Sequence, residues 1–223
     1  ACVEYNGTAY RGWQRQQSGV PSVQEAVEKA LGRVANHPVQ VFCAGRTDAG
    51  VHASCQVIHF DSDAHRSPRN WIHGANANLP ADISLSCVTP IGLDFHARFS
   101  AVARRYRYVI YNDPIRPAHL AHEVTWNYRP LDIQRMRVAA RALVGTHDFT
   151  SYRAVGCQAK SPIKTIHHLE LLEFGRFIVL DIRANAFLHH MVRNIAGVLM
   201  QIGCGEQPVE WAQQVLEVRD RAQ

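Results

Sequence analysis

The sequence predicts an α+β protein in two comparable halves. One observation is that apolar spacing switches repeatedly between helical and alternating patterns along the chain. A second is the order of the elements: strand, helix, strands, helix, strand, then a long strand, a helix, a hairpin and a helix. A third is the lack of any Gly/Ser-rich linker in 223 residues, a length that allows one large domain or two small ones. The halves, residues 1–99 and 100–223, are therefore expected to pack closely, with a soft boundary near residues 95–103.

Each element has a local cause. Residues 1–5 read as the tail of a strand that starts earlier, and Asn6-Gly7 is a turn signal. Ser22 to Glu25 reads as a capping box after Pro21. Val23, Ala26, Val27, Ala30, Leu31 and Val34 then recur at helical spacing. Residues 39–43 and 56–60 read as strands flanking a loop, Ala44-Gly45-Arg46-Thr47-Asp48-Ala49-Gly50-Val51-His52. Ser67 as cap and Pro68 in the first turn open a second helix, and residues 83–88 form a short strand.

The long strand covers residues 101–111. Alternation sets Arg105, Arg107, Val109 and Tyr111 on one face and Tyr106, Tyr108 and Ile110 on the other, and Asn112-Asp113-Pro114 ends it. Asp132 caps a helix with Ile133, Met136, Ala140, Leu143 and Val144 inward, stopped by Gly145. Residues 163–174 and 177–184 make a hairpin about Gly175-Arg176. A helix over 188–202 ends at Gly203, and Pro208 opens a last helix to Val218.

Composition narrows the class. Hydrophobic residues are 47% and charged residues 19%, which excludes wholesale disorder. No run approaches the roughly 18 apolar residues of a membrane span, so no membrane role is expected. Nothing at the start directs secretion. The six cysteines show no C-x-x-C spacing and read as reduced thiols of a cytoplasmic protein. Thirteen histidines form no familiar zinc pattern, so no metal is expected. A formal charge of +5 fits a polyanionic partner or a slightly basic solvated surface equally well.

Three segments could carry chemistry. Asp48-Ala49-Gly50 is either a plain turn or an isolated carboxylate held in a loop. It belongs to no P-loop, has no second carboxylate beside it, and the chain has no Gly-x-Ser-x-Gly elbow. Arg104-Arg105-Tyr106-Arg107-Tyr108 offers cations to phosphates on one face and rings to unstacked bases on the other; a solvated edge strand is the plainer reading. Arg193 sits beside the stripe Leu188, Met191, Val192, Ile195 and Leu199, where it either snorkels or holds a carboxylate.

Together the segments AGRTDAGVHA (44–53), FHARFSAVARRYRY (95–108), GTHDFTSY (145–152) and ANAFLHHMVRNIAG (184–197) form a specific set. With Gly12-Trp13-Gln14-Arg15-Gln16 and Ser22-Val23-Gln24, they span nearly the whole chain in order. This pattern resembles the bacterial tRNA pseudouridine synthase A family. The resemblance implies an isomerase without cofactor or metal, acting on the anticodon stem-loop of tRNA, usually as a homodimer. It implies two halves sharing a continuous antiparallel sheet, with a basic cleft between them. Asp48 matches the catalytic aspartate, and Arg46 the arginine that displaces the target nucleotide. Tyr106 matches the tyrosine that stacks on the uracil, and Arg193 the partner of the aspartate. Gln14, Arg15, Arg98, Arg105 and Arg107 fall in matched segments and are expected to touch RNA. The chain departs from the family in having Asn6 where Asp is expected and Tyr152 where Phe is common. It is expected to be a piece of a longer product. A tRNA-binding protein without catalysis and a hydrolase using Asp48 are the alternative readings.

Overall fold

In the computed structural model, which describes residues 1–17 and 19–220, strands and helices mix in two units, Ala1–Ala101 and Val102–Gln223. The chain is α+β, with one sheet in each unit.

The first unit contains β1 (Cys2–Tyr5), α1 (Val23–Ala35), β2 (Phe42–Cys43), β3 (Ala53–His59), α2 (Pro68–Asn76) and β4 (Ile83–Cys87). Its sheet runs in the order β2-β3-β1-β4, with every pair antiparallel. Alternation on β1 buries Val3 and Tyr5. They meet Val23, Val27 and Leu31 of α1 and Trp71 of α2 in one core. Fully burying a Val or Leu side chain is worth about 1.5–3 kcal/mol, so this shared face holds the helices on the sheet. Ser67 caps α2 as its sequence suggests, its hydroxyl accepting from the Asn70 N–H at 3.2 Å.

The second unit contains β5 (Arg104–Asn112), β6 (Thr125–Asn127), α3 (Ile133–Arg141), β7 (Gly145–Asp148), β8 (Ile163–Phe174), β9 (Phe177–Ala184), α4 (Met191–Gly203) and α5 (Trp211–Val218). The sheet order is β6-β5-β9-β8-β7. β9 lies at its centre and pairs with β5 from Arg104↔Ala184 to Tyr111↔Phe177. Ile110, Leu171, Leu180 and Ile182 pack with Met136 of α3 and with Ile195 and Leu199 of α4. Asp132 caps α3 by accepting from the Gln134 and Arg135 N–H groups. Gly203 is packed rather than merely flexible: a Cβ there would lie 2.8 Å from the Met136 sulfur.

Several expectations are corrected. One continuous antiparallel sheet is not what the described strands form; they pair as two sheets, and β5–β6 is parallel. The loop after β5, with Pro114, Pro117 and a 3-10 turn at Ala118–Leu120, returns the chain so that β6 runs the same way as β5. The strand expected over 39–43 shrinks to β2. Val41 instead donates its N–H to the Glu28 carboxylate and accepts at its carbonyl from the Gln24 amide, both on α1. The capping box does not close: Ser22 makes no capping bond, and Glu25 pairs with Lys29 at 2.8 Å one turn on. Val144 is exposed because α3 ends at Arg141. α4 starts at Met191, since residues 188–190 form a turn with His190 left-handed at φ 59°. The last helix likewise begins at Trp211, after a turn from Pro208.

Candidate active site

The loop carrying Asp48 joins β2 to β3 and is held from below by the segment after β1. The Trp13 N–H donates to the Thr47 carbonyl at 3.0 Å, and the Gly50 N–H to the Tyr10 carbonyl at 3.3 Å. The Tyr5 hydroxyl meets the Thr47 hydroxyl at 2.8 Å, and the Gly7 N–H reaches His52 Nδ1 at 3.2 Å. At the loop's start, the Gln56 amide bonds both backbone groups of Gly45. Two glycines permit this closeness. A Cβ on Gly7 would stand 2.1 Å from the Val51 carbonyl oxygen, and one on Gly12 would stand 2.8 Å from that of Thr47. Gly12 also has φ +97°, a conformation L side chains rarely adopt.

Within the loop the Asp48 carbonyl accepts from the Val51 N–H at 3.2 Å, and Gly50 takes φ 74°. The turn expected of Asp-x-Gly is therefore real, and it uses the backbone of Asp48. The Asp48 side chain is half-buried, and Arg46 is exposed two residues earlier. Burial pushes the Cys43 thiol up, while the Arg46 guanidinium pulls it the other way. Gln14 and Arg15 are exposed beside Trp13. The Arg15 guanidinium reaches Glu28 at 3.4 Å, so part of its charge is answered within the unit. Arg98 lies over the Phe99 ring, 5.7 Å from its centroid.

In the second unit, Tyr106 lies on β5 opposite Ile182 of β9. Its ring is half-buried and edge-on to Phe187, with centroids 5.0 Å apart at 85°. Phe187 belongs to the segment between β9 and α4, and exposed Arg193 stands in the first turn of α4. That segment is tied down: the Ala154 N–H donates to the His189 carbonyl at 2.8 Å, and the Asn194 amide to the Tyr152 carbonyl at 2.8 Å. Tyr106 and the helix turn carrying Arg193 are thus fixed to one scaffold.

Arg105 and Arg107 point off the opposite face of β5 and converge on Asp181 of β9. Arg105 makes a bidentate pair at 2.6 Å for both bonds, and Arg107 adds a third bond at 3.1 Å. The Asp181 side chain is 1% exposed. Hydrogen bonding from Arg105, and then from Arg107, holds its carboxyl below the usual range despite burial. Arg104 donates to the Asn185 carbonyl at 2.9 Å. Sequence reading missed Asp181 and Phe187. The signal for the first was a lone acid in the apolar run of β9, facing a strand of alternating arginines.

The description tRNA pseudouridine synthase matches the chain over residues 1–100 and 139–223, which include both the Asp48 loop and the Arg193 helix. The chain belongs to the tRNA pseudouridine synthase family. Among its relatives in that family, the tRNA pseudouridine synthase A of Pseudomonas aeruginosa is 72% identical over 219 residues, covering 98% of this chain and 77% of the relative. The enzyme of that name from Alcanivorax borkumensis is 63% identical, covering 98% of this chain and 82% of its own. The one from Cronobacter sakazakii is 57% identical, with 98% and 81% covered. Among the described residues, no helix of this family member is long and apolar enough to cross a membrane.

Proposed function

We propose that this chain isomerises uridine to pseudouridine in the anticodon stem and loop of tRNA, with Asp48 as its catalytic carboxylate. The observation that carries this reading is the loop itself. An aspartate that serves only as a turn needs no such clamp, yet the loop is fastened by Gly7, Gly12, Trp13 and Tyr5. The 72% identity to an enzyme named for the activity supports it.

The reaction breaks the bond between uracil N1 and the ribose, turns the base and joins C5 to the same carbon; C5 loses one proton and N1 gains one. Atoms balance without a redox partner. The target is stacked, so flipping it out costs a few kcal/mol, which Arg46 offsets by taking its place and contacting phosphate. Asp48 then acts on the nucleotide as nucleophile or base, and it must be ionised to do so. Arg193 supplies a guanidinium as the ionic partner of that carboxylate. Tyr106 lies against the detached uracil and takes the proton from C5, its ring braced by Phe187. Gln14, Arg15, Arg98, Arg105 and Arg107 follow the RNA backbone; for the last two, Asp181 cancels part of the charge available.

The working enzyme is a cytoplasmic homodimer. Residues 1–99 bring the Asp48 loop and residues 100–223 bring Tyr106 and Arg193 to a basic cleft. The test uses Asp48→Asn, which keeps shape and most hydrogen bonds but cannot act as nucleophile or base. On a preparation that melts like the parent, tRNA affinity should hold or rise slightly, because one negative charge leaves a site for a polyanion. Pseudouridine formation should vanish. Near-parental turnover would remove the assignment, and joint loss of binding and turnover would return Asp48 to a structural turn.

A further inference from the structure

Four rings form a row on the first unit, at the edge strand that leads into the Asp48 loop. Phe42 of β2 lies on His59 of β3 with centroids 5.0 Å apart and planes 17° apart. His59 meets His96 edge-on at 4.5 Å and 61°, and His96 meets Phe99 at 4.3 Å and 32°. Apolar surface of this kind belongs inside a protein, yet Phe99 is 76% exposed and Phe42 is 38% exposed. The row is also rigid. The Ala97 N–H donates to His59 Nδ1 at 3.1 Å, and the Arg98 N–H to His96 Nδ1 at 3.2 Å. The Ser100 N–H closes the turn onto the His96 carbonyl at 2.8 Å, and the Ser100 hydroxyl accepts from the His96 N–H at 3.1 Å. Both imidazoles are held at Nδ1 by the Ala97 and Arg98 backbone N–H groups.

We propose that this row is a stacking platform for an unpaired base of the substrate tRNA next to the target uridine. Three features choose RNA as the occupant. A base needs a flat aromatic face, and single-stranded RNA is bound on such faces, histidine included. The phosphates beside that base need cations: Arg98 lies over the Phe99 ring, and Arg46 follows Phe42 by four residues on the same chain. β2, which carries Phe42, leads directly into the Asp48 loop, so the platform and that loop share one strand end. Burial and the neighbouring His96 lower the proton affinity of His59.

The proposal rests on the tRNA reading above, and its test separates the two. Phe99 is exposed, so Phe99→Ala and Phe99→Tyr should fold like the parent. Affinity for an unmodified tRNA transcript is measured at several salt concentrations, together with turnover and sedimentation. One base–ring stack is worth about 1–3 kcal/mol, so Phe99→Ala should weaken binding roughly 5- to 150-fold with the parental salt slope. Phe99→Tyr should restore it. An anticodon stem-loop carrying 2-aminopurine beside the target should be quenched by the parent and not by Phe99→Ala. Parental affinity and quenching in Phe99→Ala would overturn the platform. A change in sedimentation would also overturn it, making the row an interface between copies. A parent that binds tRNA through Phe99 but forms no pseudouridine would leave the platform standing and overturn the proposed activity.

Discussion

Gly7→Ala should disable the protein without touching any residue that meets substrate. The added Cβ would lie 2.1 Å from the Val51 oxygen, 2.6 Å from its carbonyl carbon and 3.0 Å from its nitrogen. All three are backbone atoms, so no side-chain rotation relieves the overlap. Ordinary contact begins near 3.4 Å, and the chain at Val51 must therefore retreat by about 1 Å, a displacement that can cost about 100-fold in rate at a catalytic group. Val51 closes the turn on the Asp48 carbonyl, so the retreat carries the carboxylate with it. Pseudouridine formation in tRNA by Gly7→Ala should fall about 100-fold in kcat, with KM changing less because Arg98, Arg105 and Arg107 lie outside the displaced loop. Overpacking of this kind costs about 1–3 kcal/mol of stability, and a melt shows whether the fold survives. A folded Gly7→Ala protein that turns over at the parental rate would refute the claim that this clamp positions Asp48.

Other outcomes follow from the same geometry. Asp181→Asn should destabilise by about 1–2 kcal/mol in urea unfolding, a figure kept low because both arginines are more than half exposed. The Asp181 carboxyl is held below its ordinary range, so its contribution is present above about pH 4 and lost as pH falls through the folded value; the variant should lack that part of the acid sensitivity. Tyr152→Phe removes a fully buried hydroxyl that donates to the Ala212 carbonyl at 2.9 Å, and should cost about 1 kcal/mol in unfolding while leaving tRNA affinity alone. Gly197→Ala, on the exposed side of α4 with nothing within 4 Å of the new Cβ, should raise stability by up to about 1 kcal/mol in a thermal melt.

Local periodicity accounts for several elements of this fold. The stripe from Val23 to Leu31 specifies α1, Asp132 specifies the start of α3, and Gly175-Arg176 specifies the turn between β8 and β9. The alternation of Arg105 and Arg107 with Tyr106 and Tyr108 is likewise a property of neighbours in the chain. The roles expected of Asp48, Tyr106 and Arg193 came from the resemblance of their segments to a family; residue type and spacing alone left a plain turn, a solvated edge strand and a snorkelling arginine open. The pairings between distant segments emerge only when the chain is folded. Val41 gave up strand pairing because Glu28 and Gln24 of α1 reached its backbone first. Asp181 became the anchor of two arginines because β9 lies beside β5 in that register. Gly7 and Gly12 matter because another stretch of backbone passes within reach of their missing side chains, and Phe42, His59, His96 and Phe99 form a row only once a turn folds back over two strands. Helix and strand signals arise from interactions a few residues apart, which a sequence displays directly. Close approach between remote segments depends on how whole faces pack, and no single stretch of sequence carries it.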